Sequence, residues 1–211
     1  MKRMIVFCEG STEEDFVDDV LAPFLWVVNV AATPVNLGGV SKYSRIKREL
    51  NQLCKSNKTA LITTMIDFYG LPNETPGKST ARNSIYEAAE HIESAIESDL
   101  GNLSNLVVNV TLHEFEGLLF SQISAFGSIA NEKQLAALDA VIKGFETPEH
   151  INDSFETTPS RRILSVIPDY TKRYDGITIA KQIGIKGISN KCRHFAKWLE
   201  KLTAWAKEGR L

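Results

Sequence analysis

The sequence predicts an α/β fold, a mostly parallel central sheet flanked by helices with a helical C-terminal extension. Three observations lead there. Short β-rich runs alternate with stretches of helical periodicity through Phe120, and that alternation implies parallel strands joined by helical crossovers. The run Thr59–Ile66 is almost continuously apolar or β-branched, as expected of a strand buried on both faces. Beyond Phe120 the strand patterns stop while helical ones continue. The division that follows is an α/β core over residues 1–125 and a helical, basic extension over 126–211, with a soft boundary near 125–155.

Each element has its own warrant. Met4–Cys8 is β-rich and ends at the turn Glu9-Gly10. Ser11 with Glu14, or Thr12 with Asp15, has capping-box spacing, and Phe16, Val17, Val20 and Leu21 supply an apolar helical face. That helix should stop before Pro23. Val27–Leu37 reads as a second strand closed by Gly38-Gly39. Tyr43–Lys55 reads as an amphipathic helix with Ile46, Leu50, Leu53 and Cys54 on one side. After the strand Thr59–Ile66 comes a loop over Phe68–Thr80, punctuated by Gly70, Pro72, Pro76 and Gly77. A helix over Ala81–Leu100 and a strand over Leu106–Leu112 complete the alternation. Glu132–Phe145, Arg161–Val166, Ile177–Ile183 and Cys192–Ala206 are the helices expected in the extension.

Composition excludes several classes. The chain of 211 residues is 43% hydrophobic and 24% charged, an ordinary balance for a globular protein. The longest apolar run, Leu21–Ala32, is broken by Pro23 and Asn29 and falls short of the ~20 residues of a membrane helix. No membrane partner is expected. Three widely spaced cysteines, Cys8, Cys54 and Cys192, without a CxxC, argue against a disulfide framework or a zinc site. A cytoplasmic setting with reduced thiols follows. The net charge of −2 conceals −10 over residues 1–156 and +8 over 157–211. An acidic body with a basic tail section fits a metal-binding core beside a phosphate-binding surface. It equally fits two complementary faces docked on each other.

The chemistry lies at strand ends. Glu9 follows the first strand, Asp67 the buried strand, and Glu114 and Glu116 the strand Leu106–Leu112. In a parallel sheet these ends share one edge, where ligands bind. Hard oxygen ligands there suit Mg²⁺ or Mn²⁺, and a cation between carboxylates can activate water for phosphodiester hydrolysis. Glu9, Asp67, Glu114 and Glu116 are thus the catalytic candidates, with Glu9, Asp67 and Glu116 as metal ligands. The bland alternatives are a helix cap for Glu9 and a strand-end turn for Asp67. Only one of Glu114 and Glu116 is expected to face the site. Gly10 and Ser11 open a helix whose N–H groups favour phosphate. With His113, Arg161, Arg162 and Lys172 they complete the substrate-binding candidates, the arginines as forks for phosphate or simply as solvated charges. No P-loop or Ser/His/Asp elbow is present.

A strand followed by Glu9-Gly10, then a buried strand ending at Asp67, resembles the Toprim fold of topoisomerases, primases and overcoming-lysogenisation-defect nucleases. The resemblance implies that Glu9 is a general acid/base or metal ligand and that Asp67 holds Mg²⁺. The chain is more closely similar to a bacterial domain-of-unknown-function family, number 4276, with a Toprim-like core. The matching segments are Val6–Glu14, Thr63–Pro72, His113–Ser121, Thr147–Asn152, Pro159–Ile163 and Cys192–Leu199. The resemblance implies an AAA/ABC-type ATPase partner and a part in anti-phage defence. Where a Toprim nuclease has a second aspartate, Tyr69 stands here, so a second carboxylate must come from Glu114 or Glu116. Two functions are expected from this. One is a Mg²⁺-dependent nuclease acting on nucleic acid, DNA or RNA. The other is a non-catalytic binding or sensor subunit of an ATPase complex.

Overall fold

The computed structural model describes residues 1–39, 42–80, 82–152 and 157–208. Its centre is an all-parallel sheet in the order β2-β1-β3-β4, with a short fifth strand beside β3. β1 is Lys2–Cys8, and its side chains alternate strictly. Met4, Val6 and Cys8 enter one hydrophobic core, while Ile5 and Phe7 enter the other. This is the period-2 pattern of a strand covered on both faces.

The first helical stretch is longer than the sequence suggests. α1 (Ser11–Phe16) runs into a π-helical turn, Val17–Leu21, and then into α2 (Ala22–Trp26). Pro23 therefore does not end the helix. The π-turn just before it carries an i→i−5 bond from Ala22 N–H to Val17 O, and Pro23 stands in the first turn of α2. There the missing N–H costs little. The helix ends at Trp26, and the turn after it closes at Asn29, in the left-handed region with φ 63°.

β2 (Val30–Asn36) contains Pro34, opposite Val6 of β1. A proline is tolerated because β2 is the edge strand. α3 (Tyr43–Ser56) buries Tyr43, Ile46, Leu50 and Cys54, and each aliphatic in that face contributes about 1.5–3 kcal/mol. β3 (Leu61–Asp67) is buried along its length until Asp67. α4 (Ile85–Asp99) starts later than the sequence implies, capped by the Ser84 hydroxyl, which accepts Glu87 N–H. The earlier start at Ala81 lies outside the described residues.

The strand expected over Leu106–Leu112 is two short pieces, β4 (Leu106–Val107) and β5 (Val110–Thr111). Between them the Thr64 hydroxyl donates to Asn109 O and accepts Asn109 N–H. Glu97 and Glu93 of α4 accept Val108 N–H and Val110 N–H. Side chains thus replace the ladder, so no backbone donor is orphaned at the break.

Among the described residues, the α-helices that follow are α5 (Glu116–Leu119), α6 (Glu132–Lys143), α7 (Pro159–Val166), α8 (Ile177–Ser189) and α9 (Arg193–Glu208). α8 extends past the expected Ile183 by kinking at Gly184, φ 68°. Ile163, Ile177, Trp198 and Trp205 share one core with Met4, Val6 and Phe16, so the C-terminal helices cover the same sheet face as α1. Cys8, Cys54 and Cys192 are buried free thiols. Among the described residues, no helix is long and apolar enough to cross a membrane.

The route of the chain fixes where a ligand can enter. From β1 it crosses by α1 and α2 to β2 on one side, and from β2 it crosses by α3 to β3 on the other. α1, which follows β1, packs in the first core, and α4, which follows β3, packs in the second through Ile92 and Ile96. The connections after β1 and β3 therefore diverge to opposite faces, opening a crevice at the strand C-termini where the winding reverses.

Candidate active site

Glu9 and Asp67 stand at that crevice. Glu9 follows β1 directly and is held to β3 by its N–H on Met65 O (3.1 Å). Its Oε2 accepts Asp67 N–H at 3.0 Å. The carboxylate rests against Gly70, where an added Cβ would lie 2.4–2.7 Å from it. Asp67 is partly accessible as a residue, but its Oδ1 is shielded from solvent and has no hydrogen-bond partner. Burial first, then the charges of Glu13, Glu9, Glu116 and Glu114, push the Asp67 carboxyl well above its usual range. Burial likewise raises Glu9, Glu13 and Glu116.

The loop after β5 brings in the rest. His113 has φ 62° and is buried, and its ring stacks on Tyr69 with centroids 5.4 Å apart and planes 19° from parallel. Glu114 Oε2 accepts Ser160 N–H at the start of α7 (3.0 Å). Glu116 is 1% exposed, and its Oε1 lies 2.9 Å from Lys172 Nζ. Burial would lower the Lys172 ammonium, but the ion pair with Glu116 and the fields of Glu114 and Asp67 outweigh it, so the group is raised. Both Glu114 and Glu116 thus act on Asp67, whereas strand alternation led us to expect only one. The reason is that they leave the strand at His113 and enter the turn that becomes α5.

The other sequence candidates fare unequally. Gly10 N–H is taken by Glu13 Oε2 (3.0 Å), and the Ser11 hydroxyl accepts from Asn36 (3.2 Å). The start of α1 is therefore engaged internally, with the capping acid at Glu13 instead of Glu14 or Asp15. Arg162 donates to Thr157 O and lies over the Phe145 ring. Arg161 is exposed on α7. Lys172 is ion-paired with Glu116, an acid of this cluster. Beside it Arg173 pairs with Asp15 and Lys181 with Asp19, so along this seam the basic tail section docks on the acidic body.

Hard carboxylate oxygens around an orphaned Asp67 Oδ1, with Lys172 paired to Glu116, suit a hard cation. As placed, no three His, Cys, Asp or Glu side chains among the described residues converge to ligate one ion. Mg²⁺ does not require three, since it keeps several waters and is held through one or two carboxylates.

A family model described as Domain of unknown function (DUF4276) matches residues 8–203. The chain belongs to the DUF4276 family. No curated protein and no solved structure matches it. The DUF4276 match spans every residue of the cluster, from Glu9 to Lys172.

Two members of this DUF4276 site escaped the sequence reading. Glu13 is buried, and its signal was a capping box counted from Gly10 instead of Ser11. Gly70 looked like loop punctuation, whereas its missing side chain makes room for Glu9. Gly70 does not occupy the left-handed region, so alanine fits the backbone there. Gly70→Ala should leave the melting temperature within about 2 °C of wild type, because the clash falls on the mobile end of a side chain. It should displace the Glu9 carboxylate from Asp67 N–H, a shift that the amide resonance of Asp67 in an NMR spectrum of the variant would report.

Proposed function

We propose that this DUF4276 chain is a Mg²⁺- or Mn²⁺-dependent phosphodiesterase acting on nucleic acid in the cytoplasm. The observation that carries this reading is the orphaned, shielded Asp67 Oδ1 among four further carboxylates at the winding reversal of a parallel sheet. Like charges gathered in a buried crevice are costly, and a divalent cation would offset that cost. When bound, the cation would lower the pKa of a water and neutralise charge developing on the phosphoryl oxygens. Asp67 and Glu116, together with Glu9, are the residues that would hold it. Glu9, raised by burial, is suited to accept the proton of the attacking water. The water oxygen bonds to phosphorus as the bond to the leaving oxygen breaks, and solvent supplies the proton that oxygen takes. Lys172, released from Glu116, would contact a non-bridging phosphate oxygen.

A second reading is a non-catalytic subunit of an AAA/ABC-type ATPase assembly. Tyr69 in place of a second acid and the Lys172–Glu116 pair favour it. Labelled DNA and RNA, single-stranded and duplex, incubated with Mg²⁺ or Mn²⁺ separate the two. The phosphodiesterase reading expects cleavage that stops with chelator and falls at least about 100-fold in Glu9→Gln. No cleavage of any of these substrates gives the lead to the subunit reading.

A further inference from the structure

Tyr69 lies between Asp67 and Gly70, the residue on which Glu9 rests. The two neighbouring aromatics of this loop divide their tasks. Phe68 packs against the core on the α3 and α4 side. Tyr69 is 54% exposed, a large aromatic surface beside a polar crevice. Its ring is nonetheless fixed in place. One face stacks on His113, and Phe68 meets it edge-on at 82°. His113 is itself buried, held in a left-handed backbone conformation, and approached at Nδ1 by Asn152 Nδ2 (3.4 Å). Glu114 is close enough to act on the phenol, which burial and that charge together raise. A rigid ring, backed on one face and exposed elsewhere, next to a phosphate-handling site is the arrangement on which a nucleobase stacks.

We propose that Tyr69 is a stacking platform for the nucleobase beside the scissile phosphate, so that this site takes unpaired strands in preference to duplex. The inference rests on the phosphodiesterase reading and adds the substrate class. In a duplex both faces of each base are already covered, and a side chain can take one only where the base is out of its stack. Hydrophobic and π contact with the ring carries the effect, so the phenolic oxygen is dispensable and Tyr69→Phe should keep it.

The experiment uses the full chain with Ca²⁺ in place of Mg²⁺, and a short single-stranded oligonucleotide carrying 2-aminopurine, whose emission is quenched on stacking. Wild type and Tyr69→Phe should quench the probe and bind it alike. Tyr69→Ala should lose the quench and about tenfold in affinity, a change of the size expected for one base on one aromatic ring. Its circular dichroism should be unchanged, since the side chain is exposed. Trp26→Ala is the control for general aromatic adhesion. That residue is 62% exposed but precedes β2, at the opposite edge of the sheet. The wild-type preference for single strand over duplex of the same sequence should shrink in Tyr69→Ala only. Undiminished quench and affinity in Tyr69→Ala would overturn the platform and leave the phosphodiesterase reading standing. Failure of the wild type to bind single strand or duplex would overturn both.

Discussion

Asp67→Asn should raise the melting temperature of the cation-free protein while abolishing its stabilisation by Mn²⁺. The substitution keeps the shape of the side chain and removes a charge that burial and four other carboxylates disfavour. Relief of that repulsion should exceed about 2 °C, roughly 1 kcal/mol in a chain of this size. Wild type should gain about 2.7 kcal/mol when Mn²⁺ is supplied at a hundred times its dissociation constant, and the variant almost none. The same groups fix the sign of a pH effect. Asp67, Glu9, Glu13 and Glu116 are all raised in the folded state. Their contribution to stability is therefore fully present below the ordinary carboxylate pKa and lost as pH rises through the raised values. Lowering the pH from neutrality to about 5, still above the ordinary carboxylate pKa, should stabilise the cation-free wild type. Asp67→Asn should flatten that gain. Thermal melts across pH, with and without Mn²⁺, read out both effects. A variant that melts lower than wild type at neutral pH would show that Asp67 is satisfied in the fold.

Glu149→Ala should be the most damaging substitution away from the cluster. Glu149 is 3% exposed and lies in the short turn Pro148–His150. Its two oxygens accept His194 N–H and Phe195 N–H, both at 2.9 Å, at the first turn of α9. Two charge-assisted bonds to donors at a helix N-terminus are worth about 1.5–3 kcal/mol each, and their loss leaves buried N–H groups without acceptors. A loss of about 3 kcal/mol or more is expected, a fall of roughly 6–12 °C in melting temperature. Glu149→Gln should fall between the two, because its amide offers one acceptor and turns a donor toward the other N–H. Chemical denaturation of the three proteins measures this. Equal stability of wild type and Glu149→Ala would mean that water satisfies the α9 terminus.

The unequal legibility of these features has physical causes. β1, β3 and α3 were readable because burial on known faces imposes periods of 2 and 3.6 on their apolar residues, and the positions of Glu9 and Asp67 follow from strand ends alone. The break between β4 and β5 was not readable, since Val107, Val108 and Val110 look like one strand. What interrupts it is Thr64 and the carboxylates of α4, all distant in sequence. The helix through Pro23 depends on a π-turn, which leaves no mark in the apolar pattern. Nothing local marks the role of Glu149, because its partners lie some 45 residues further on. Lys172 was readable as basic, but its pairing with a buried Glu116 was not, because that contact spans two separately folded-back segments.

β1 and α9 are joined directly. Lys2 Nζ donates to Trp205 O and Ala206 O, and Trp198 Nε1 donates to Thr63 Oγ1 of β3. The middle of the sheet is therefore finished by side-chain bonds that span 135 to 204 positions of the chain. Until α9 docks, the part of the sheet face covered by Trp198 and Trp205 stays open, although α1 already packs on it. Contacts so far apart in sequence favour slow folding, so a chain refolding from denaturant should gain its protease resistance late, with the docking of α9.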